Sequence, residues 1–493
     1  MLDNMQNKAN IFSLGLRQST FNLLYRGFIY IALILFQAPL LAHELPDLGN
    51  PSSAALTPLQ EMELGSTVMQ ELKGASMISQ DAIFNEFLQT MGYRLVATQG
   101  QSQPKYVFFG VKDKSINAFA LPGGFVGINT GLFLATESES ELAGVMAHEV
   151  AHVQQRHIAR IYEHMGRLRL STIAGMIAGL LISTQNAQAG QGAIAATLAG
   201  SQQSVINYTR DHEKEADFVG IQTMMKAGYD PHGMPSFFQR MYQDTRYYGN
   251  HIPEYLMTHP LTESRIVAAQ SRAASFPYKQ IPDSSQYHLV HERMKAQSFS
   301  SPVEASHYFE KVLAKGTYRS REGSMYGYAL SLIESGKFEQ ASSILNELLV
   351  KSPNQPLYHL AYAELDWHNG NQNAALDRLS QAIKNHPQNY PLTLSYATTL
   401  LKSGQGSAAI PILKKQASLK PNHPECWHLL SAAYALSKQD VKAHLAEAQY
   451  LKLQGDLQGA ITQLRLANKY NSLTHEERVQ IQGQLREYKK IKK

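Results

Sequence analysis

Apolar positions along the chain change rhythm several times, and each change predicts a different element. From Phe28 to Phe36 they run unbroken, "FIYIALILF", behind a lead that carries Lys8, Arg17 and Arg26. That run is too short to span a bilayer comfortably and small residues follow it. Residues 1–42 therefore read as a signal peptide ending at Ala42, with retention as a membrane anchor as the alternative. Residues 43–57 form a polar lead, after which "PLQEMELGSTVMQELKG" takes helical spacing. Between 104 and 133 the pattern turns to aromatic and β-branched residues punctuated by Pro122, Gly123 and Gly124, which predicts strands. The stretch "TESESELAGVMAHEVAHVQQRHIARIYEHM" then predicts one long helix, with Ser138 and Glu141 as a capping box. Residues 168–200 are rich in Ala, Gly and Ile, nearly uncharged, and interrupted by "QNAQAGQG". Neither half is long enough to span a membrane, so the segment reads as a buried helical hairpin or as a lid that touches membrane surface or unfolded substrate. Helical spacing resumes through "DHEKEADFVGIQTMMKAGYDPHGM" and closes near residue 290, with 291–301 as a linker.

The last third repeats. Gly336, Gly370 and Gly404 lie 34 residues apart, as do Ala341, Ala375 and Ala409, Ala329, Ala363 and Ala397, and Pro353, Pro387 and Pro421. A 34-residue period with small residues at helix crossings and proline after the second helix is the tetratricopeptide pattern. Beyond Pro421 the phase slips. Ala448, Gly455 and Ala460 restore the internal spacing 51 residues after the previous copy, one and a half repeats, which predicts a shared or inserted helix pair. The repeat domain is placed at 302–485, and solenoids of this kind present a concave face to protein partners.

Composition narrows the field. At 493 residues two or three domains are expected, and 44% hydrophobic with 17% charged residues is globular. The net charge of +5 comes from dispersed Lys and Arg with no basic arm, so no nucleic-acid partner is expected. Cys426 is the lone cysteine, which excludes an intramolecular disulfide and any thiolate zinc site. It reads as a small buried hydrophobe.

The chemistry concentrates in "MAHEVAHVQQRH" (146–157). On a helix His148 and His152 stack on one face and can share an ion. Glu149, a third of a turn away, can reach a water without being a ligand. The rival reading is a polar helix face with incidental histidines, but the apolar flanks Val145, Met146, Val150 and Val153 bury this helix, and buried charge needs a partner or a metal. A metzincin extension would need Gly and His where Gln155 and Ile158 stand, so that class is excluded, and on a continuous helix His157 falls on the wrong face. Downstream, "DHEKEAD" offers Glu213 as third ligand, with Asp217 one turn on to accept the second ring N–H of a histidine ligand. His212 and Glu215 are rivals for the ligand role, and an ordinary solvated charged helix is the plain alternative.

These motifs, together with "NAFALPGGFVGINTGLF", "AGYDPHGM" and "THPLTESR", resemble the zinc metallopeptidases of the HtpX and CAAX prenyl endopeptidase type. With a signal peptide in front and tetratricopeptide repeats behind, the chain is most similar to their periplasmic β-barrel assembly-enhancing branch. The resemblance implies a mostly α architecture: a gluzincin-like domain over 58–290, helical with a small β-sheet, followed by an α-solenoid. It implies one Zn2+ held by His148, His152 and Glu213, with Glu149 as general base, Asp217 behind the ligands, and extended substrate pairing along "NAFALPGGFVGI". Arg265, Tyr208 and His212 are candidates for stabilising the oxyanion. His259, in "THPLTESR", is a candidate regulatory fourth ligand whose binding would silence the enzyme, or a structural histidine held by Arg265 or backbone. The function implied is a periplasmic endopeptidase, with a chaperone role, acting on stalled outer-membrane β-barrel proteins and reaching their assembly machinery through the repeats. A repeat-based adaptor that seldom cleaves and an inner-membrane-anchored protease are the alternatives.

Overall fold

The computed structural model describes residues 56–98, 105–165, 170–183, 202–247, 253–277, 281–471 and 473–491. The expected signal peptide, almost all of the lead and the second half of 168–200 lie outside these residues. Two helices begin the described chain. In α1 (Pro58–Gly74) the Thr57 hydroxyl caps Gln60 and the Gln60 side chain returns the bond, and in α2 (Ala82–Val96) Asp81 caps Phe84. The strands β1 (Val107–Val111), β2 (Ala118–Leu121) and β3 (Phe125–Asn129) form one sheet in the order β1-β3-β2, with β1 parallel and β2 antiparallel to β3. The β2–β3 turn needs its glycines. Gly123 and Gly124 have φ of 79° and 94°, and a Cβ on Gly124 would sit 2.6 Å from the Lys105 carbonyl.

After the short α3 (Thr130–Ala135) comes α4 (Glu139–Gln154), whose residues from Ser140 to Ala151 are all buried. Ser138 caps the Glu141 amide, but the Glu141 carboxylate accepts from the Glu137 amide and pairs with Arg240 rather than completing the box. The expected long helix is broken. After Gln154 the chain turns through Arg156 in the left-handed region (φ 52°), and α5 (His157–Met165) starts afresh. Arg156 is held there by bonds to the Leu56 carbonyl (2.5 Å) and Glu61 (3.3 Å), offsetting a conformation that costs roughly 1–2 kcal/mol. Then follow α6 (Leu170–Ser183), α7 (Gln202–Lys226), α8 (Gly233–Tyr247), α9 (Glu254–Thr258) and α10 (Glu263–Ala274). The long α7 lies against α4 at close range, because Gly220 faces the His148 backbone and a Cβ there would approach its nitrogen to 3.2 Å.

Residues 291–301, expected as a linker, are largely taken up by α11 (Ser285–Ser298), whose Tyr287, Leu289, Val290 and Met294 are buried. The repeat helices are α12 (Pro302–Lys315), α13 (Arg321–Glu334), α14 (Phe338–Lys351), α15 (Pro356–His368), α16 (Gln372–Asn385), α17 (Tyr390–Lys402), α18 (Gly406–Leu419), α19 (Pro424–Leu436), α20 (Asp440–Gln454), α21 (Leu457–Ala467) and α22 (His475–Ile491). The recurring glycines Gly336, Gly370 and Gly404 follow the first helix of each pair at φ of 73°, 82° and 74°, with open space where a Cβ would be. Backbone conformation, not crowding, selects glycine there. Ala341, Ala375 and Ala409 are fully buried at the crossings. At the phase slip α20 packs against both α19 and α21, so one helix serves two pairs. All described residues belong to one compact unit. The solenoid is tied to α1 and α2 by Lys420 on Glu86 (2.6 Å) and Lys73 on the Leu453 carbonyl (2.6 Å), and α11, which leads into it, by Arg293 on Asp81 (2.8 Å).

Candidate metal centre

Four side chains from three places in the chain converge. His148 and His152 come from α4, Glu213 from α7, and His259 from the residue that ends α9. One ligand atom of each lies within 4.8 Å of the other three. His148 Nε2 is 3.0 Å from His152 Nε2 and 3.3 Å from both His259 Nδ1 and Glu213 Oε2. Glu213 Oε1 lies 3.3 Å from His152 Nε2 and 3.1 Å from His259 Nδ1. Ring nitrogens gathered about a common point, beside a carboxylate, form a donor set suited to a borderline cation once the imidazoles are neutral.

The next layer fixes these groups. Asp217 Oδ1 is 3.0 Å from His148 Nδ1, and Arg265 grips both Asp217 oxygens at 2.8 Å. Arg265 also reaches Glu213 (2.9 Å) and the Pro260 carbonyl (2.8 Å), so its fork is spent behind the ligands rather than facing a reacting carbonyl. On the other side His157 Nδ1 lies 2.8 Å from His152 Nδ1, and its Nε2 lies 3.1 Å from Glu215, which Arg160 holds at 2.8 Å. His212 stacks on His157 with ring centroids 4.2 Å apart, away from the ligand cluster's centre. Tyr208 lies in α7, but its side chain is outside the described residues.

Electrostatics follow from burial and pairing. Burial alone would lower the His148 pKa, but hydrogen bonds to Asp217 and Glu213 carry it up to about 10. His152, dominated by burial, falls to about 3. Burial would raise Glu213, yet His259, His148 and His152 hold it well below the ordinary carboxylate range. Glu149 is pushed up by burial, and both its oxygens are buried without a hydrogen-bond partner beside the cluster. A native structure leaves few such groups, and the nearest partners here are the Ala120 backbone and, at 3.5 Å, His259 Nε2. Tyr255 joins the site unforeseen: fully buried, it packs on the His259 ring at 4.9 Å, and burial and the Glu149 charge raise its pKa well above 10. Its place four residues before His259 in "EYLMTHP" was the available signal.

A family model for "Peptidase family M48" matches residues 83–273, and one for "Tetratricopeptide repeat" matches 367–433. The beta-barrel assembly-enhancing protease of Escherichia coli strain K12 is 33% identical over 427 residues, 87% of each chain. The chain belongs to this family of M48 metallopeptidases. The beta-barrel assembly-enhancing protease of Yersinia pestis is 34% identical, covering 85% of this chain and 86% of the relative. A more distant likeness, 28% over 35% of this chain and 48% of the other, is to the mitochondrial metalloendopeptidase OMA1 of Schizosaccharomyces pombe. The protein is thus a metallopeptidase with a helical repeat domain, mostly α with one small sheet. Among the described residues no helix is long and apolar enough to cross a membrane.

Proposed function

We propose that this protein is a periplasmic zinc endopeptidase that acts on outer-membrane β-barrel proteins stalled in assembly, and that its repeats engage those clients or their assembly machinery. The observation that carries the catalytic part is the convergence of His148, His152 and Glu213 beside the buried Glu149 carboxylate. A zinc ion held by those three ligands would supply Lewis acidity, making a water acidic near neutral pH and polarising the scissile carbonyl. Glu149 takes the water's proton and returns it to the leaving amine, a role its raised pKa suits. Asp217 and His157 orient the two imidazoles, and Arg265 holds Asp217 and Glu213 in place. Because β2 is an edge strand against α4, extended substrate can pair along Ala118–Leu121 and bring its carbonyl toward Glu149. The client class is carried over from its relatives, the beta-barrel assembly-enhancing proteases.

His259 supports a restrained resting state. Its ring lies between Glu213 and Glu149, 3.1 Å and 3.5 Å away, where a fourth ligand would take the place of water. Opening then requires the loop after α9 to move. Glu149→Gln tests the main reading: it should keep its zinc and crosslink to unfolded barrel proteins in cells while cleavage falls by roughly 10²–10⁴-fold. Full cleavage in that variant would refute the assignment of the base. Full biological function with cleavage lost would favour an adaptor.

A further inference from the structure

The terminal α22 lines, through Gln480 and Gln484, a space beside α18–α20. The space is a groove of about 550 Å³. Its walls are apolar, from Trp427, Leu430, Tyr434 and Leu445. Its polar lining is Lys414, Lys442, Ser418 and the amides of Gln449, Gln480 and Gln484, with no carboxylate lining it among the described residues. Lys442 is exposed; its Nζ donates to the Gln439 amide oxygen at 3.0 Å and lies 5.9 Å over the Tyr434 ring. Gln484 is half-buried at the edge of the groove, and its Oε1 is turned away from solvent.

We propose that this groove binds the carboxyl-terminal end of a partner polypeptide whose last side chain is apolar. The proposal rests on the reading that the repeats engage protein partners, and it names where and by what chemistry. Two lysines without an opposing carboxylate favour a carboxylate ligand. The indole, phenol and leucine walls provide apolar surface for the side chain next to that carboxylate. The amides of Gln449 and Gln480 line the same groove and offer hydrogen bonds to the backbone of the segment. An internal stretch of chain supplies the N–H and the apolar group but not the terminal negative charge, and an aspartate or glutamate side chain carries its charge without an apolar neighbour fixed beside it.

The test uses the full chain carrying Trp367→Phe, so that Trp427 alone reports, titrated with the N-acetylated hexapeptide Ser-Ala-Ser-Ala-Leu-Leu as free acid and as C-terminal amide. The acid should quench or shift the Trp427 emission and bind at least about 10-fold tighter than the amide, and Lys414→Glu with Lys442→Glu should erase that preference. Both lysines are exposed, so the double variant should fold, which circular dichroism checks. Equal binding of acid and amide, an acid preference that survives the double variant, or no binding of either peptide would overturn the proposal. Crosslinking of the Glu149→Gln chain in cells separates the two ideas: clients captured without peptide binding sink the groove alone, whereas no captured protein removes the partner reading too.

Discussion

The metal centre and the solenoid are built on opposite principles. In the solenoid each position contacts its neighbours one repeat away, and small residues recur where helices cross. Stability there is a sum of nearly identical terms. The centre instead gathers residues 111 positions apart, His148 and His259, into a buried cluster whose members sit in place only because others hold them. Damage to a repeat should therefore be local and modest, and damage to the centre should propagate through its hydrogen bonds.

The largest effect expected is from Glu213→Ala. It removes a ligand and leaves His148 and Arg265 short of a partner, so metal content should drop well below one per chain and cleavage should vanish together. Metal analysis of the purified variant checks this. Next comes His157→Phe, which keeps the ring volume but deletes the acceptor for His152 Nδ1. Metal affinity should fall about 10–100-fold in a chelator competition, and His157→Asn, which keeps an acceptor near that position, should recover part of it. Equal affinities for the Phe and Asn variants would show that His157 only fills space.

The junction between the two regions should respond to acid. Burial would raise the Asp81 pKa, but Arg293, the Phe84 amide and Gln297 pull it below its ordinary 3.8. A carboxyl lowered by folding stabilises the native state above its unfolded value, and that contribution is lost as pH falls through the folded value. Stability against urea should thus decline below about pH 4, and the decline should be shallower in Arg293→Met, where the cause of the depression is gone. The smallest effect belongs to a single repeat. Gly370→Ala meets no neighbour, yet must hold φ at 82°, so it should cost about 1 kcal/mol in a denaturation midpoint and leave metal content unchanged.

How much of each region can be read in advance follows from the same contrast. The solenoid's period was legible because repeats 34 apart and a slip of 51 are properties of sequence alone; the slip reads as a shared or inserted helix pair, whereas the structure has the single helix α20 packed against both α19 and α21. In the centre the His148–His152 pair was legible because it lies within one helix, and Glu213 with Asp217 because they fall one turn apart on another. His157 was not. Placing it on the wrong face assumed a continuous helix, and the left-handed Arg156 breaks that helix and swings His157 back onto His152. What stabilises the break is contact with Leu56 and Glu61, about a hundred residues away, which no local pattern contains. Likewise most of the stretch expected as a linker, 291–301, continues α11, whose Tyr287, Val290 and Met294 join the core.

The most direct test is zinc K-edge absorption on the intact chain and on His259→Ala. The account predicts one zinc per chain in both, three imidazoles around it in the unmodified protein and two in the variant, with faster cleavage by the variant. A resting site with only two imidazoles would contradict His259 as a ligand, and a chain that binds no zinc at His148, His152 and Glu213 would contradict the account as a whole.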